Sequence, residues 1–431
     1  MVRNPMRLAK GLLAASTLAF LVTTGADARA DCTNPLVSTC INSENYWPNP
    51  GIMRFATVDG TETIPRQQVA FGLVTSYVSR PIVLHIASPG PDGSDQYVVN
   101  QQLNGNFLFA YGVTDRLQLD FALPVTFIET GAGTSPLTGG EDLRDTAVRD
   151  LRFGAAFAIV PRERVSPDSI GTQTGPGKNW SLTARLGITA PTGDSSDFAG
   201  ERTAVFVPSL AADYRIKQFF FGAAVGARVR PVTEFAGARV GTQLTTAAGA
   251  GIDIIDRDRL SFMLEGRLYP NFAEQHTTAQ SAFGITSTPN GKSIIIGEWF
   301  AGVRTAPFLA GDVSFLLGGG GPIPVGDDKA ITVPRYRFVL GITYAPQGRD
   351  TDGDGILDRD DLCPREAGPR GGDRPGCPGS AEPPPPEPVT PPPLEPAPPP
   401  PVTTTPPAPS DPTAPSTPPT PPEPSPQEKQ P

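Results

Sequence analysis

From residue 66 to residue 345 apolar and polar side chains alternate along the chain. In RLQLDFALPVTF (116–127), Leu117, Leu119, Phe121, Leu123, Val125 and Phe127 share one face, while Gln118, Asp120 and Thr126 share the other. In RYRFVLGITY (335–344), Tyr336, Phe338, Leu340, Ile342 and Tyr344 oppose Arg335, Arg337 and Thr343. A period of two sustained this long means extended strands with one apolar side. The pattern predicts twelve strands, at 66–77, 101–112, 116–127, 150–160, 179–190, 203–215, 218–230, 242–255, 259–269, 296–304, 311–320 and 334–345. Strands of about ten residues suit a tilted membrane crossing better than a soluble sheet, where about five or six are usual.

Short turns such as Val113-Thr114-Asp115, Ile216-Lys217 and Asp256-Arg257-Asp258 alternate with long hydrophilic loops at 78–100, 128–149, 191–202, 231–241, 270–295 and 321–333. The connection 161–178 is the exception, being long where a short turn is expected. Short-long alternation is the habit of bacterial outer-membrane barrels, whose short turns face the periplasm. The expected fold class is therefore all-β: a closed antiparallel transmembrane barrel of about twelve strands spanning 66–345. An even strand count returns the chain to the side from which it entered. A soluble sandwich would need a second dry face, and the second face here is charged.

That face becomes the lumen, because Arg or Lys on the lipid side at mid-depth costs about 2–4 kcal/mol. It places Asp120, Arg152, Arg185, Asp213, Arg228, Arg230, Glu265, Arg267, Glu298, Arg304 and Arg337 around the barrel axis. Two uses of this lining compete. The arginines pair with the carboxylates and close the interior, or they leave a wet pore that favours anions.

The ends of the chain add a compartment. Arg3, Arg7 and Lys10 precede an apolar run, GLLAASTLAFLVTT (11–24), and Ala28-Arg29-Ala30 supplies an A-x-A cleavage site. This predicts a secretory signal peptide over 1–30. Asp31 before Cys32 argues against a lipidated cysteine. The four cysteines fall in two close pairs, Cys32 with Cys40 and Cys363 with Cys377, a pattern that in an exported chain favours disulfides over metal thiolates. Residues 31–65 read as a short periplasmic lead-in clipped by the first pair.

Past the barrel, DTDGDGILDRDDLCP (350–364) carries carboxylates at Asp350, Asp352 and Asp354, a glycine at the turn, and Asp361 at the twelfth position. That is the ligand order of a calcium loop, with the Ile356 carbonyl at position seven and Asp358 as a further acidic candidate. Calcium offsets the repulsion of so many carboxylates at close range. The segment 346–380 is thus expected to bind Ca2+ beside the periplasmic rim. Residues 381–431 are dominated by proline, lack aromatics and cannot build a core. In polyproline II form this tail would reach roughly 150 Å, long enough to meet the cell wall.

The 350–364 stretch, with GPRGGDRPGCP at 368–378, resembles a thrombospondin type 3 repeat, and that resemblance pairs Cys363 with Cys377. NGNFLFAYGVTDRLQLDFALPV (104–125), VRDLRFGAAFAIV (148–160), LGITAPTGD (186–194) and RFVLGITYA (337–345) are similar to barrels of the OmpA family, most of all those that carry such repeats. GVTDRLQLDFALPV also resembles barrels linked with uptake of aromatic compounds. The resemblance implies the outer membrane of a Gram-negative bacterium and contact with its lipid, with both terminal segments in the periplasm. The usual C-terminal peptidoglycan-binding domain is replaced by the proline-rich tail.

A net charge of −9 with no basic patch argues against nucleic acid as a partner. Only His85 and His276 are present, both in outward loops and without a nucleophile motif, so no enzyme is expected. Two readings of function remain. One is a structural envelope protein, with the barrel as anchor and the tail on peptidoglycan or other wall components. The other is a porin-like channel for small solutes, anions or aromatic compounds.

Overall fold

The computed structural model describes residues 32, 36–86, 94–135, 142–161, 179–255, 260–281, 284–308, 312–325, 331–346, 352, 354, 356, 358, 361–369 and 374–378. The signal peptide, Asp350 and the proline-rich tail lie outside the described residues. The strands are β1 (Val69–Ile86), β2 (Ser94–Gly112), β3 (Leu117–Thr130), β4 (Ala147–Val148), β5 (Arg152–Val160), β6 (Trp180–Thr189), β7 (Val205–Ile216), β8 (Phe219–Arg228), β9 (Thr233–Phe235), β10 (Ala238–Val240), β11 (Gln243–Ile255), β12 (Leu260–Pro270), β13 (His276–Ser281), β14 (Gly284–Pro289), β15 (Ile295–Phe308), β16 (Val313–Pro322) and β17 (Tyr336–Tyr344).

Twelve of them close into a barrel. The order β2-β1-β17-β16-β15-β12-β11-β8-β7-β6-β5-β3 is completed by pairing of β2 with β3, and every neighbouring pair is antiparallel. Closure matters because an open edge would leave a row of unpaired amides and carbonyls. The fourth strand, β4, only lengthens the β3 ladder. Among the described residues no helix is long and apolar enough to cross a membrane.

Pleating sorts the side chains as the alternation requires. Phe71, Leu119, Phe153, Leu186, Phe206, Phe221, Leu264, Leu317, Phe338 and Leu340 point outward and are exposed. At the short-turn end Phe71, Tyr111, Trp180, Tyr214 and Tyr344 form a ring of exposed or half-buried aromatics, with the Phe71 and Tyr344 rings 5.2 Å apart. The inward set is polar and largely buried.

The strands run further than the alternation suggested at the end opposite the short turns. The expected loop 78–100 is mostly strand: β1 and β2 stay paired out to Ile86 and Ser94, past irregularities between Ser79 and Val83. The expected loops 231–241 and 270–295 contain the hairpins β9–β10 and β13–β14.

The largest departure is the segment before β1. Expected as a lead-in outside the barrel, it lies within the lumen instead. Tyr46, Phe55, Ala56 and Val58 share one buried cluster with Val74, Leu108, Phe220, Met263, Phe300 and Val339 from the barrel wall. A barrel of about eight strands is filled by its own side chains, and one of 16–18 leaves an aqueous channel. Twelve strands enclose an intermediate bore, and here it admits one irregular chain.

The direction of threading corrects a second expectation. Val37 bridges Phe235 of β9, and Asn45 donates to the Thr332 carbonyl at 2.8 Å, both at the long-loop end. Thr63 and Arg66 meet Asp115 at a short turn. The segment therefore enters from the long-loop end and descends to the start of β1, which places the Cys32–Cys40 disulfide at the end opposite the short turns. An N-terminal segment kept on the short-turn side does not fit this path.

Candidate functional site in the barrel lumen

An irregular backbone inside a barrel has no strand partner, so its amides and carbonyls must be met by wall side chains. The inward positions supply them. Glu265 on β12 accepts from the amides of Ala56 (2.7 Å), Thr57 (2.6 Å) and Val58 (3.0 Å) and from the Thr57 hydroxyl (2.7 Å). Gln118 on β3 accepts from the Ile64 amide at 2.7 Å. Arg185 on β6 donates to the Gly60 carbonyl at 3.0 and 2.8 Å. Close approach also requires glycine in the wall. Gly222 and Gly249 face each other across β8 and β11, and a Cβ on either would lie 2.5 or 2.7 Å from the Phe55 ring.

The segment contributes charge as well. Glu44, buried, accepts from Arg337 at 2.6 Å, from Ser76 at 2.8 Å, from Asn104 at 2.9 Å and from the Tyr46 amide at 2.7 Å. Arg337 also meets Glu298 at 3.1 Å, and Glu298 meets Arg267 at 2.7 Å. The result is a buried chain Glu44–Arg337–Glu298–Arg267 joining the segment to β17, β15 and β12.

The residues expected around the axis are all inward, buried or half-buried. Asp120 pairs with Arg185 at 3.3 Å, and Arg230 pairs with Glu201. Asp213 accepts from Ser181 and, at 2.5 Å, from Thr61 of the segment. Arg304 is buried. Both expected uses of the lining are thus modified: ion pairs do form, but most of the filling is done by residues 36–65. The functional residues not read from the sequence are Glu44, Asn45, Trp47, Arg149 and the neutral polar set Gln102, Asn104, Asn106 and Gln118. Arg149 is fully buried and bonded to neutral acceptors including Asn42, Ser43, Asn104 and Thr126. Inward neutral amides with no ionic role were the available signal of an enclosed backbone.

Filling is incomplete. A cavity of about 120 Å³ lies between the segment and the wall of β3, β5 to β8, β11 and β12, and is bordered by Trp47, Asp59, Asp120, Arg152, Arg228 and Tyr269. That volume is well above the roughly 10–15 Å³ needed to admit one water, so the space has room for several. A smaller void of about 10 Å³ shares Trp47, Arg152 and Thr189 and continues beside Asn42, Glu44 and Arg149.

Past the barrel, Asp352, Asp354 and Asp361 place carboxylate oxygens within 4.8 Å of one another. Asp354 accepts from the amides of Ile356 (2.7 Å) and Gly368 (3.0 Å), and Asp361 from that of Cys363 (2.7 Å). Oδ2 of Asp352 and of Asp361 are buried with no hydrogen-bond partner. Two orphaned anionic oxygens facing a third carboxylate are what a hard cation would satisfy. Asp358 is outside this trio. Cys363 and Cys377 form a disulfide, and Gly376 (φ +81) packs its backbone on Asp361 where a Cβ would collide.

His85 and His276 lie at the long-loop end in hairpins. His276 Nδ1 faces both Ser287 (2.7 Å) and Glu234 (3.4 Å), and its Nε2 faces Arg239 at 2.9 Å. A hydrolytic triad needs acid and nucleophile on opposite ring nitrogens. This cluster instead ties β9–β10 to β13–β14.

No protein-family model and no curated protein matches the chain. Among solved structures it is similar to the COG4313 outer membrane channel from Pseudomonas putida F1, with 15% identity over 67% of this chain and 99% of that one and a TM-score of 0.45. It is also similar to the toluene transporter TbuX of Ralstonia pickettii, with 11% identity over 65% and 90% of the two chains and a TM-score of 0.32. The CymD monoaromatic hydrocarbon channel gives 9% identity over 66% and 90%, again with a TM-score of 0.32.

Proposed function

We propose that the protein is an outer-membrane channel for small solutes, in which residues 36–65 form the constriction. Membrane placement rests on the exposed apolar exterior and its aromatic rim, since soluble monomers rarely expose a continuous apolar belt. The single observation that carries the channel reading is the unfilled, partly charged cavity beside an irregular segment held by discrete hydrogen bonds. A purely structural barrel would be expected to close this space with paired side chains. The anchoring role depends on the tail, which lies outside the described residues, and no observed contact favours it.

Planar-bilayer recording tests the reading. The full chain is expected to give small stepwise currents, and a variant lacking 36–62 to give currents several-fold larger because the bore is cleared. Silent insertion of both would overturn it.

The acidic segment adds a second property. Asp352, Asp354 and Asp361 would hold Ca2+ with their carboxylates, of which those of Asp352 and Asp361 each carry an orphaned oxygen, and the ion would supply the order that a core this small cannot.

A further inference from the structure

The arginines of the lumen are not equally compensated. Arg185, Arg230, Arg267 and Arg337 each have a carboxylate within 4.0 Å. Arg152 and Arg228 have none among the described residues, and both border the larger cavity. Among the described residues Arg152 makes one hydrogen bond, from Nη2 to Asn106 at 2.6 Å. Arg228 donates, among the described residues, to Asn45 alone, at 2.9 Å to its carbonyl and 3.4 Å to its side chain. The Nε atoms of both are buried without an acceptor, and Arg228 is only 4% exposed. Both guanidinium groups lie over the Trp47 ring, 5.6 Å (Arg152) and 4.0 Å (Arg228) from its centre, and Arg228 also lies 4.7 Å from that of Tyr269.

Two cations gathered on one indole, short of acceptors and facing an unfilled cavity, lack a paired carboxylate among the described residues. We propose that Arg152 and Arg228, with Trp47 as their platform, form a binding site in the lumen for small monocarboxylates. The class follows from the walls. The planar guanidinium fork matches a carboxylate. Gly154, Gly187, Ala224 and Ala247 line part of the cavity and leave room for a short apolar tail. Asp59 and Asp120 border the same space. Asp120 is held by Arg185 and Gln118, and Asp59 by Asn49 and Ser209. Their charge disfavours a polyvalent anion. The site gives the channel a solute class, and in that respect it rests on the channel reading.

The test uses the full chain in detergent with Trp180→Phe and Trp299→Phe, which leaves Trp47 as the lone tryptophan among the three of the sequence. Sodium propionate, added at constant ionic strength, is expected to change Trp47 emission saturably, and propionamide to leave it unchanged. Arg152→Gln keeps a donor for Asn106 and should weaken propionate binding at least tenfold. Arg152→Lys, which retains the charge but not the fork, should fall between. Equal responses to propionate and propionamide, an unchanged affinity in Arg152→Gln, or binding of chloride as tight as of propionate would each overturn the assignment. If Arg152→Gln fails to fold, the lysine variant still decides, since a site of this kind cannot keep full affinity without the fork. Bilayer recording on the same protein separates the two proposals. Propionate binding without current would sink the channel and keep the site, whereas current without binding would do the reverse.

Discussion

Glu265→Gln is the sharpest probe of how the segment is held. The native carboxylate accepts three amides and a hydroxyl, all within 3.0 Å. Hydrogen bonds to a charged group contribute about 1.5–3 kcal/mol each, and an orphaned buried donor costs about 1–3 kcal/mol. Glutamine preserves the shape and one oxygen. Its NH2 must then face a backbone N–H, donor against donor, and the surviving bonds lose their charge. A net loss on the order of 3 kcal/mol follows, or about 100-fold in the equilibrium between seated and released segment. Hydrogen exchange by mass spectrometry reads this directly. Exchange at the amides of Ala56, Thr57 and Val58 should quicken about 100-fold, while amides in the middle of β12 remain protected. Unchanged exchange at the three amides would refute the clamp. Uniform acceleration along β12 would refute it too, because the variant would then have loosened the wall.

Three further outcomes are expected. Gly222→Val puts a branched side chain where the Phe55 ring lies, since even a Cβ would be 2.5 Å from it. It should destabilise the barrel by about 1–3 kcal/mol in urea unfolding, and Phe55→Ala in the same chain should recover most of that loss. Asp352→Asn with Asp361→Asn should abolish calcium binding in calorimetry, and intact binding would reject the ligand assignment. Burial pushes Asp150, in the loop before β5, up to about 6 despite the amides of Gly193 and Glu201 that it accepts. An acid raised in the folded state favours folding when protonated, so its penalty is absent below about pH 4 and fully present above about pH 6. Exchange at Gly193 and Glu201, corrected for its intrinsic pH dependence, should therefore quicken from pH 5 to 7 in the native chain and stay flat in Asp150→Asn.

The barrel was legible because each strand writes its own pattern. In β17 the outward Tyr336, Phe338, Leu340 and Ile342 and the inward Arg337 and Thr343 follow from pleating alone, whichever strands lie beside them. The cluster of Asp352, Asp354 and Asp361 was legible for a similar reason, since its carboxylates lie close in sequence. Residues 36–65 were not. With Pro48, Pro50, Gly51, Gly60 and Pro65 they have no period, and their order comes from groups 32 to 293 positions away on the barrel wall. Glu265 clamps Thr57, 208 residues distant, and Arg337 meets Glu44, 293 residues distant.

Local alternation thus sufficed for strand number, for which side chains face inward and for the acidic loop, since each depends on spacing along one short stretch. Closure decided the rest. Only a ring of twelve strands sets a bore too wide for side chains and wide enough for one chain, and only that chain's path determines which arginines find a carboxylate. Arg337 and Arg228 look alike as inward cations on alternating strands. The partner that separates them, Glu44, comes from a segment whose place depends on the whole wall.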